Sequence, residues 1–386
     1  MKSWPTKKLG ELTDVRMGET LIKKDLTGDG TPIFSAGIDI KPWGFTKKNT
    51  LTFSKNSIVL SARGTIGEPR LPLLKKFTAT QTTIVVTNKS ENVLDTIFLW
   101  RFLQTFNFNT IKNQAAIPMM TVSDVNKTEI LLPPLKIQKR IVARIEELFE
   151  KIDKVKKLRQ KALEEAGQIF PAALEEIFKK AVRKYSKQEI EEILELNQSG
   201  IWGDKPEELK NSYPVIRSTE ITHEGELNLN SVAIRKIVPN KVSKYSLADG
   251  DILIVKSSGS ANLIGRCSLF KQSKEDKKIY LFSNFIQRLR PNTKIVIPEF
   301  LYYFLNFEGK KFVQYLMTTT TGLRNLPIKQ YVKLQIPHPS LPEQKKIVVY
   351  LDSLREKVDK LKQFQQSQLK ELTELKQSIL AKAFKG

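Results

Sequence analysis

One segment that occurs twice constrains this chain more than any other feature of its sequence. "LKIQKRIVARIEELFEKIDKVK" spans residues 135–156 and "LPEQKKIVVYLDSLREKVDKLK" spans residues 341–362, so Gln138 matches Gln344 at an offset of 206 residues. Eleven of the 22 aligned positions are identical, and the alignment has no gap. Because chance does not produce such a match, the chain is expected to consist of two comparable halves.

Both copies place apolar residues three or four positions apart, which predicts an amphipathic helix with a coiled-coil seam. Prolines just ahead of each copy are typical of a helix start. We expect the first helix to run from about residue 136 to about residue 166, where Gly167 and Pro171 disturb it, and the second from about 342 to about 384. Packing of the two helices on each other would bury both seams, while packing of each helix only on its own globule is the alternative. The predicted seam residues are Ile141, Ile145, Leu148, Ile152 and Val155 in the first copy and Ile347, Leu351, Leu354, Val358 and Leu361 in the second.

The segments outside the helices predict two α+β globules. The stretch "TIFLWRFL" is similar to "PEFLYYFL" in the other half, and "GTIG" aligns loosely with "ANLIG". Short runs such as "NSIVLSA", "TTIVVTN", "GDILIVKSS" and "IVIPEFLYYFL" are typical of strands. The predicted division is a first globule at residues 1–134, a helix at 135–180, a second globule at 181–338 and a second helix at 339–386.

The charge of the chain indicates a polyanion or an acidic surface as partner. Its 386 residues carry 64 Lys and Arg against 41 Asp and Glu, a net charge of +23. A Lys-rich surface that serves only solubility is the alternative. With one cysteine and two histidines, neither an internal disulfide nor a Cys/His metal cluster is expected. No signal peptide or membrane-spanning segment is apparent, so we predict a soluble, cytoplasmic protein without membrane contact.

Motifs for catalysis and cofactor binding are missing from the sequence. It contains no G-x-x-x-x-G-K-[ST] phosphate loop, no G-x-G-x-x-G dinucleotide fingerprint and no G-x-S-x-G elbow. Asp249 and Asp251 in "ADGDILIV" fit a turn that enters a strand better than a catalytic pair. These observations predict a binding and assembly protein that is not an enzyme and has no cofactor.

Basic residues mixed with small polar ones recur in both globules and are candidate contacts to nucleic acid. Lys and Arg hold phosphates, while Arg, Asn, Gln and Ser hydrogen-bond to base edges. For any one of these residues an ordinary solvated side chain is the alternative, so the prediction applies to the sets. The candidates are Lys47, Lys48, Arg63, Arg70, Lys75, Lys76, Gln81, Lys112 and Asn113 in the first globule, and Arg217, Ser218, Lys256, Ser257, Ser258, Arg266, Asn284, Thr320, Arg324 and Asn325 in the second.

The two helices with their proline-rich approaches, together with "GDILIVKSSGSANLIGR" and "TTTTGLRNLPIKQY", resemble the specificity subunit of type I restriction–modification systems. The resemblance covers essentially the whole chain. It implies a non-catalytic subunit in which two target-recognition domains each bind one half of a split, asymmetric target in double-stranded DNA. It also implies that the two helices pack antiparallel, set the spacing of the half-sites and dock two copies of a modification (methyltransferase) subunit, and restriction subunits through them.

Two other functions predict different behaviour. A coiled-coil adaptor that binds an acidic protein would not bind DNA even with its partners present. A stand-alone DNA-modifying enzyme would transfer methyl groups by itself, which the missing cofactor motifs argue against.

Overall fold

Separate hydrophobic cores divide the chain into two units. The computed structural model describes residues 4–64, 66–108, 119–208, 210–273, 275–320 and 322–384. Unit 1 comprises residues 1–161 and 365–386, and unit 2 comprises residues 162–364. The mixture of helices and strands confirms the predicted α+β class. The predicted division into two globules and two spacer helices stays a prediction, because the division into units falls within both long helices.

Unit 1 is built on an antiparallel four-stranded sheet in the order β2-β8-β5-β6. A three-stranded sheet in the order β4-β3-β7, with β3 and β7 parallel, and the pair β1-β9 complete it. The strands are β1 (Thr6–Lys8), β2 (Thr13–Met17), β3 (Thr31–Phe34), β4 (Gly44–Thr46), β5 (Ser57–Ser61), β6 (Pro69–Arg70), β7 (Thr78–Ala79), β8 (Thr83–Asn88) and β9 (Glu129–Leu131). The short helices are α1 (Leu9–Leu12), α2 (Thr96–Leu103) and α3 (Val122–Lys127).

The central strands of unit 1 are covered on both faces. Ile58 and Leu60 of β5 pack in one core cluster, and Val59 between them packs in another. Since successive strand residues point to opposite faces, this explains why the centres of β5 and β8 are continuous apolar runs, Ile58–Leu60 and Ile84–Val86, without polar alternation. The sequence runs "NSIVLSA" and "TTIVVTN" are therefore strands, as predicted.

A 50-residue helix, α4 (Leu135–Lys184), follows unit 1's last strand. Unit 2 then repeats the sheet order, with a four-stranded sheet β11-β18-β14-β16, a three-stranded sheet β13-β12-β17 and the pair β10-β21. It adds a small sheet in the order β15-β20-β19. Its strands are β10 (Lys187–Glu189), β11 (Leu194–Ser199), β12 (Ser212–Ile216), β13 (Ala233–Lys236), β14 (Ile252–Val255), β15 (Ser257–Ser258), β16 (Cys267–Leu269), β17 (Leu281–Phe282), β18 (Ile286–Pro291), β19 (Thr318–Thr320), β20 (Leu323–Asn325) and β21 (Gln335–Pro337). Its helices are α5 (Pro239–Tyr245), α6 (Pro298–Phe304), α7 (Lys310–Leu316) and α8 (Ile328–Tyr331), and the second long helix is α9 (Leu341–Ala383).

One predicted strand in unit 2 is wrong. The run "IVIPEFLYYFL" contains helix α6, which begins at Pro298 and continues into a π-helical turn over Leu305–Gly309. Proline at the first helical position loses no hydrogen bond, and the apolar residues that follow it are buried on several sides. A short apolar run of this kind does not distinguish a buried strand from a buried helix.

A buried glutamine joins each long helix to its own unit in the same way. The Gln138 amide oxygen accepts the backbone N–H of Asp95 at 2.8 Å, and its amide nitrogen donates to the carbonyls of Val93 (2.9 Å) and Pro133 (2.8 Å). Gln344 accepts the backbone N–H of Ile297 at 2.8 Å and donates to the carbonyls of Ile295 (3.1 Å) and Pro339 (3.0 Å). Both glutamines are fully buried. The internal repeat therefore extends to individual hydrogen bonds.

The first long helix does not end near residue 166. Helix α4 continues through Gly167 and Pro171 to Lys184. Its later turns carry Phe178, which is fully buried in unit 2 with its ring 5.5 Å from that of Phe300 and 5.4 Å from that of Phe304. Tertiary packing of this kind outweighs the local cost of an interior proline. The bounds predicted for the second helix agree with α9 to within one residue.

The two long helices run antiparallel where they meet inside each unit. In unit 1, Asp153 pairs with Lys376 at 2.6 Å, and Lys156 donates to Thr373 at 2.9 Å, so positions advance along α4 as they retreat along α9. In unit 2, Lys184 of α4 pairs with Glu343 of α9 at 3.3 Å, and the Arg355 guanidinium of α9 lies 5.9 Å from the ring centroid of Phe170 on α4, which gives the same antiparallel sense. Coiled-coil packing of the seams remains a prediction.

Burial varies along the predicted seam. Ile145, Ile152, Leu351 and Val358 are buried, and Ile141, Leu148, Ile347 and Leu354 are half-buried. Val155 and Leu361, the last position in each copy, are exposed at 41% and 38%. Ile145 packs instead with Phe149 and Leu380, of which neither was in the predicted seam.

Candidate nucleic-acid interface

The two units resemble each other closely in the backbone hydrogen bonds of the loop that follows the central strand. In unit 1 the backbone N–H of Ala62 donates to the Thr82 carbonyl at 2.9 Å, and that of Gly67 donates to the Ser61 carbonyl at 2.8 Å. In unit 2 the corresponding bonds are Lys256 to Phe285 at 2.9 Å and Gly265 to Val255 at 2.8 Å. The chain therefore leaves β5 and β14 along equivalent paths.

A second pair of equivalent turns lies beside these loops. The backbone N–H of Thr80 donates to the Phe34 carbonyl at 2.9 Å, and that of Ser283 donates to the Ile216 carbonyl at 2.8 Å. Gln81 and Asn284 directly follow these two residues, so they occupy matching positions. We use the term reading edge for residues 61–64 and 80–82 in unit 1, and for residues 255–258 and 283–285 in unit 2.

In unit 2, six of the ten candidate residues lie at the reading edge or on strand β20, which pairs with it. Strand β15 pairs with β20, so that Ser257 lies opposite Asn325 and Ser258 lies opposite Arg324. The side chains of Ser257 and Asn325 are hydrogen-bonded to each other, and Arg324 Nη1 donates to the Gly259 carbonyl at 2.9 Å. These contacts hold polar side chains on a rigid strand pair, the arrangement that directional contacts to base edges require.

A cavity of about 540 Å³ opens beside this strand pair. Its polar lining includes Lys256, Ser257, Gln287 and Asn325. Lys256 Nζ donates to Ser199 Oγ at 2.6 Å, and burial lowers the pKa of this ammonium group. The lining thus combines a cation with amide and hydroxyl groups, which matches the chemistry of a phosphate flanked by base edges.

The unit 1 reading edge carries fewer of the candidates. Arg63 is exposed, with Nε 3.3 Å from Met119 Sδ, and Gln81 is half-buried, with its amide oxygen accepting the Leu21 N–H at 3.3 Å. Lys75 and Lys76 line a different cavity of about 470 Å³ near Ser57, at the opposite end of β5. The structure therefore separates these two lysines from Arg63.

Other candidates make contacts within the protein. Lys47 pairs with Asp29 at 2.7 Å and Lys48 with Asp25 at 3.8 Å, although both lysines are exposed. Arg266 is half-buried, and its Nε donates to the Asn262 carbonyl at 2.8 Å.

Two arginines stabilise loops. Arg70 is only 6% exposed and donates to the carbonyls of Ser35 (2.6 Å) and Asp39 (3.2 Å), and burial lowers its pKa. Arg217 pairs with the buried Glu220, a hydrogen bond that raises the pKa of the guanidinium, and Ser218 lies half-buried next to it. Arg70 is buried and Arg217 is held by several hydrogen bonds to a buried carboxylate, so neither is a candidate for contact with DNA.

Three candidates have no described side-chain geometry. Lys112 and Asn113 lie outside the described residues, and Thr320 belongs to β19, but its side chain is not described.

A loop beside the unit 1 reading edge was missed by the sequence interpretation. Residues 35–43 expose Ile38 (66%), Ile40 (59%) and Trp43 (41%). The signal in the sequence is "AGIDIKPWGF", in which large apolar residues alternate with turn-forming ones.

Two further properties concern the part of the chain that the structure describes. Across those residues, we found no group of three or more His, Cys, Asp or Glu side chains that could hold a metal ion. Among the same residues, none of the helices is long and apolar enough to span a bilayer.

Comparison with known proteins gives a family match over most of the chain. The family model described as type I restriction modification DNA specificity domain matches residues 1–165 and 183–371. The type I restriction enzyme EcoKI specificity subunit of Escherichia coli strain K12 is 26% identical over 272 residues, which cover 67% of this chain and 57% of that protein. The StySPI specificity subunit of Salmonella potsdam is 32% identical over 152 residues, 39% of this chain and 32% of that protein. The matched part is thus less than two thirds of either relative.

Solved structures share the fold over the full length. A chain from a structure described as the basis of complex assembly and conformational transition of the type I R-M system has a TM-score of 0.77 at 21% identity, covering 100% of this chain and 98% of that one. The HsdS subunit from Thermoanaerobacter tengcongensis has a TM-score of 0.58 at 22% identity, covering 100% and 97%. At these identities the likeness concerns the fold alone.

Proposed function

The chain belongs to the family of type I restriction modification DNA specificity domains, and on that premise we propose that it is the non-catalytic DNA-binding subunit of a type I restriction–modification complex. Each unit recognises one half of a bipartite, asymmetric target in double-stranded DNA. The family model matches residues in both units, which supports a function that uses both. A cytoplasmic location, where chromosomal DNA is accessible, belongs to the same proposal.

One observation carries this proposal: the two reading edges share a backbone framework and differ in their side chains. Position 63 is an arginine in unit 1, while the matching position 257 in unit 2 is a serine beside Arg324 and Asn325. Gln81 in unit 1 matches Asn284 in unit 2. Because donor and acceptor patterns in the major groove distinguish all four base pairs, unlike side chains on a common framework favour two unlike half-sites.

Electrostatics supplies the sequence-independent part of the binding. The net charge of +23 attracts the phosphate backbone, and cations released from DNA on binding make the affinity fall as salt rises. Phosphate contacts position the protein along the duplex, while the reading edges determine which sequence is preferred.

We further propose that α4 and α9 pack as an antiparallel coiled coil, set the spacing between the half-sites and dock two copies of a modification (methyltransferase) subunit. Restriction subunits join through those copies. The matched glutamine contacts of Gln138 and Gln344 support this, because they give each unit the same connection to a long helix. Two similar surfaces on one chain suit two copies of one partner.

Selection from random duplexes tests the proposal. The chain is purified together with a type I methyltransferase subunit from the same organism, and bound duplexes are enriched and sequenced. We expect two short conserved stretches separated by a constant number of unspecified base pairs. Purely non-specific binding would contradict the proposal, and absence of DNA binding would favour an adaptor for an acidic protein.

Two matched substitutions then test which unit recognises which half-site. Arg63→Ala should weaken binding and relax one conserved stretch, and Arg324→Ala should do the same for the other, with about 1–3 kcal/mol lost per base contact. Arg183→Ala, which removes an exposed arginine of α4, is the control and should leave the selected sequence unchanged. Unchanged preference in the first two variants would remove these arginines from the interface.

A further inference from the structure

The loop at residues 35–43 exposes three large apolar side chains to water. Ile38 is 66% exposed and Ile40 is 59% exposed, with Trp43 at 41% a few residues on. Single exposed apolar residues are common on protein surfaces, but three within six residues form a patch. Such a patch is typical of a binding surface.

Several bonds hold this loop in one conformation. The backbone N–H of Gly37 donates to Ser61 Oγ at 3.0 Å, and that of Ala36 donates to Thr82 Oγ1 at 3.2 Å. Buried Arg70 donates to two carbonyls of the loop, at Ser35 and Asp39. The backbone that carries the two exposed isoleucines is therefore fixed before binding, and little conformational entropy is lost when they contact a partner.

The same bonds attach the loop to the unit 1 reading edge. Ser61 and Thr82 both belong to that edge, and Arg63 follows Ser61 by two residues. Lys41 is exposed within the loop itself, and so is the carboxylate-bearing Asp39 between the two isoleucines. The patch is thus attached to the surface that would face DNA, with Arg63 and Lys41 as the nearby cations, which favours a duplex as its occupant over a protein with an apolar groove.

Unit 2 carries a different segment at the matching place. Strand β12 corresponds to β3, and the chain after β12 reads "RSTEITHEGELNLN" over residues 217–230, rich in hydroxyl, amide and carboxylate groups. The apolar patch is therefore not a requirement of the shared fold, and a function specific to unit 1 is the simpler explanation.

We propose that Ile38 and Ile40 recognise thymine through its 5-methyl group in the half-site bound by unit 1. The thymine methyl is the apolar group that the bases display in the major groove, and aliphatic side chains recognise it by contact without hydrogen bonds. This inference rests on the proposed function, because it assumes that unit 1 binds a DNA half-site.

Replacement of thymine by deoxyuridine tests the inference, because it removes the methyl group and keeps every hydrogen-bonding atom of the base. The full chain in complex with its methyltransferase is titrated with the selected duplex and with duplexes carrying uracil at each thymine of one half-site. The half-site of unit 1 is the one relaxed by Arg63→Ala. We expect an affinity loss of about fourfold at each thymine that contacts an isoleucine.

The double variant Ile38→Ala/Ile40→Ala should bind the thymine and uracil duplexes equally, while the wild type distinguishes them. A merely structural role of the loop would lower both affinities and keep their ratio. Ile97→Ala, which shortens a 38% exposed isoleucine on α2 of the same unit, is the matched control and should keep the full ratio.

Two results overturn the inference, and a third observation would reassign the patch. Sequence-specific binding that tolerates uracil at every thymine of this half-site refutes it, and so does an unchanged thymine-to-uracil ratio in the double variant. Weaker assembly with the methyltransferase in the double variant, at an unchanged ratio, would assign the patch to that protein. If the wild-type complex binds the selected duplex no better than an unrelated duplex, the proposed function itself fails. This result differs from a failure of the inference alone, in which the complex still prefers the selected duplex.

Discussion

Replacing Gln138 by leucine should destabilise unit 1 without affecting unit 2. The leucine side chain has nearly the same size but offers no hydrogen bond to the backbone N–H of Asp95 or to the carbonyls of Val93 and Pro133. The site is fully buried, so water does not replace the lost partners. At about 1–1.5 kcal/mol for each of three bonds, the free energy of unfolding should fall by about 3–4.5 kcal/mol.

Amide hydrogen exchange followed by mass spectrometry measures this loss for each unit separately. In Gln138→Leu, peptides from α2 and the start of α4 should exchange faster, and those of unit 2 should keep the wild-type rate. Gln344→Leu should give the reverse pattern, because its three bonds lie within unit 2. Gln377→Leu, at an exposed position of α9, serves as the control and should change stability by less than about 0.5 kcal/mol.

The reasoning fails if Gln138→Leu lowers the free energy of unfolding by less than about 1 kcal/mol, since that would mean that the three backbone groups find other partners. It also fails if either variant increases exchange equally in both units, because the contacts of each glutamine stay inside one of them.

Further predictions concern single buried positions. Leu380→Asp should lower the free energy of unfolding of unit 1 by about 3–5 kcal/mol in a urea titration, because Leu380 is 2% exposed against Ile145 and Phe149, whereas Leu375→Asp at 46% exposure should change it little. Gly18→Ala should cost on the order of 2–3 kcal/mol, since its Cβ would lie 2.2 Å from the Thr80 carbonyl oxygen; Gly28→Ala, with open space around it, is the control for thermal melting. Burial raises the pKa of Cys267 to about 12, so a thiol reagent at pH 8 should modify the unfolded chain and leave the folded one unmodified. Rapid modification of the folded chain would show that this thiol is accessible.

The sequence predicts the helices well because their periodicity is local, but it underestimates how far the repeat extends. Leu174 and Leu380 are separated by the same 206 residues as the matched glutamines, and both are buried. Phe178 and Phe384 have the same spacing, and Phe384 lies 5.0 Å from the ring of Phe98 in unit 1. These pairs were available as a signal that the helices continue past residue 166.

The path of α4 through Pro171 does not follow from local preferences. Proline weakens a helix wherever it interrupts the hydrogen bonds, and this local effect is all that the sequence around Pro171 indicates. The compensating contacts of Phe178 with Phe300 and Phe304 join residues more than 120 positions apart, so they appear only in the folded chain.

Individual site residues are the least predictable part. Arg63 and Arg70 are seven residues apart in similar surroundings, yet the first is exposed, and the second is buried against the carbonyls of Ser35 and Asp39. Whether an arginine is exposed to solvent depends on where the fold places the neighbouring loops. Likewise, the match of Gln81 with Asn284 rests on backbone hydrogen bonds, because the neighbouring sequences differ.

Unit 1 is completed by residues 365–386, whereas unit 2 is a continuous stretch from 162 to 364. During synthesis the ribosome therefore releases every residue of unit 2 before unit 1 has its final helical turns. Domains fold as the nascent chain emerges from the ribosome. The surface of unit 1 around Phe98 and Ile145 therefore stays exposed until Phe384 and Leu380 have been translated. A translational pause in that interval should extend the exposure of unit 1 to chaperones and proteases, and spare unit 2.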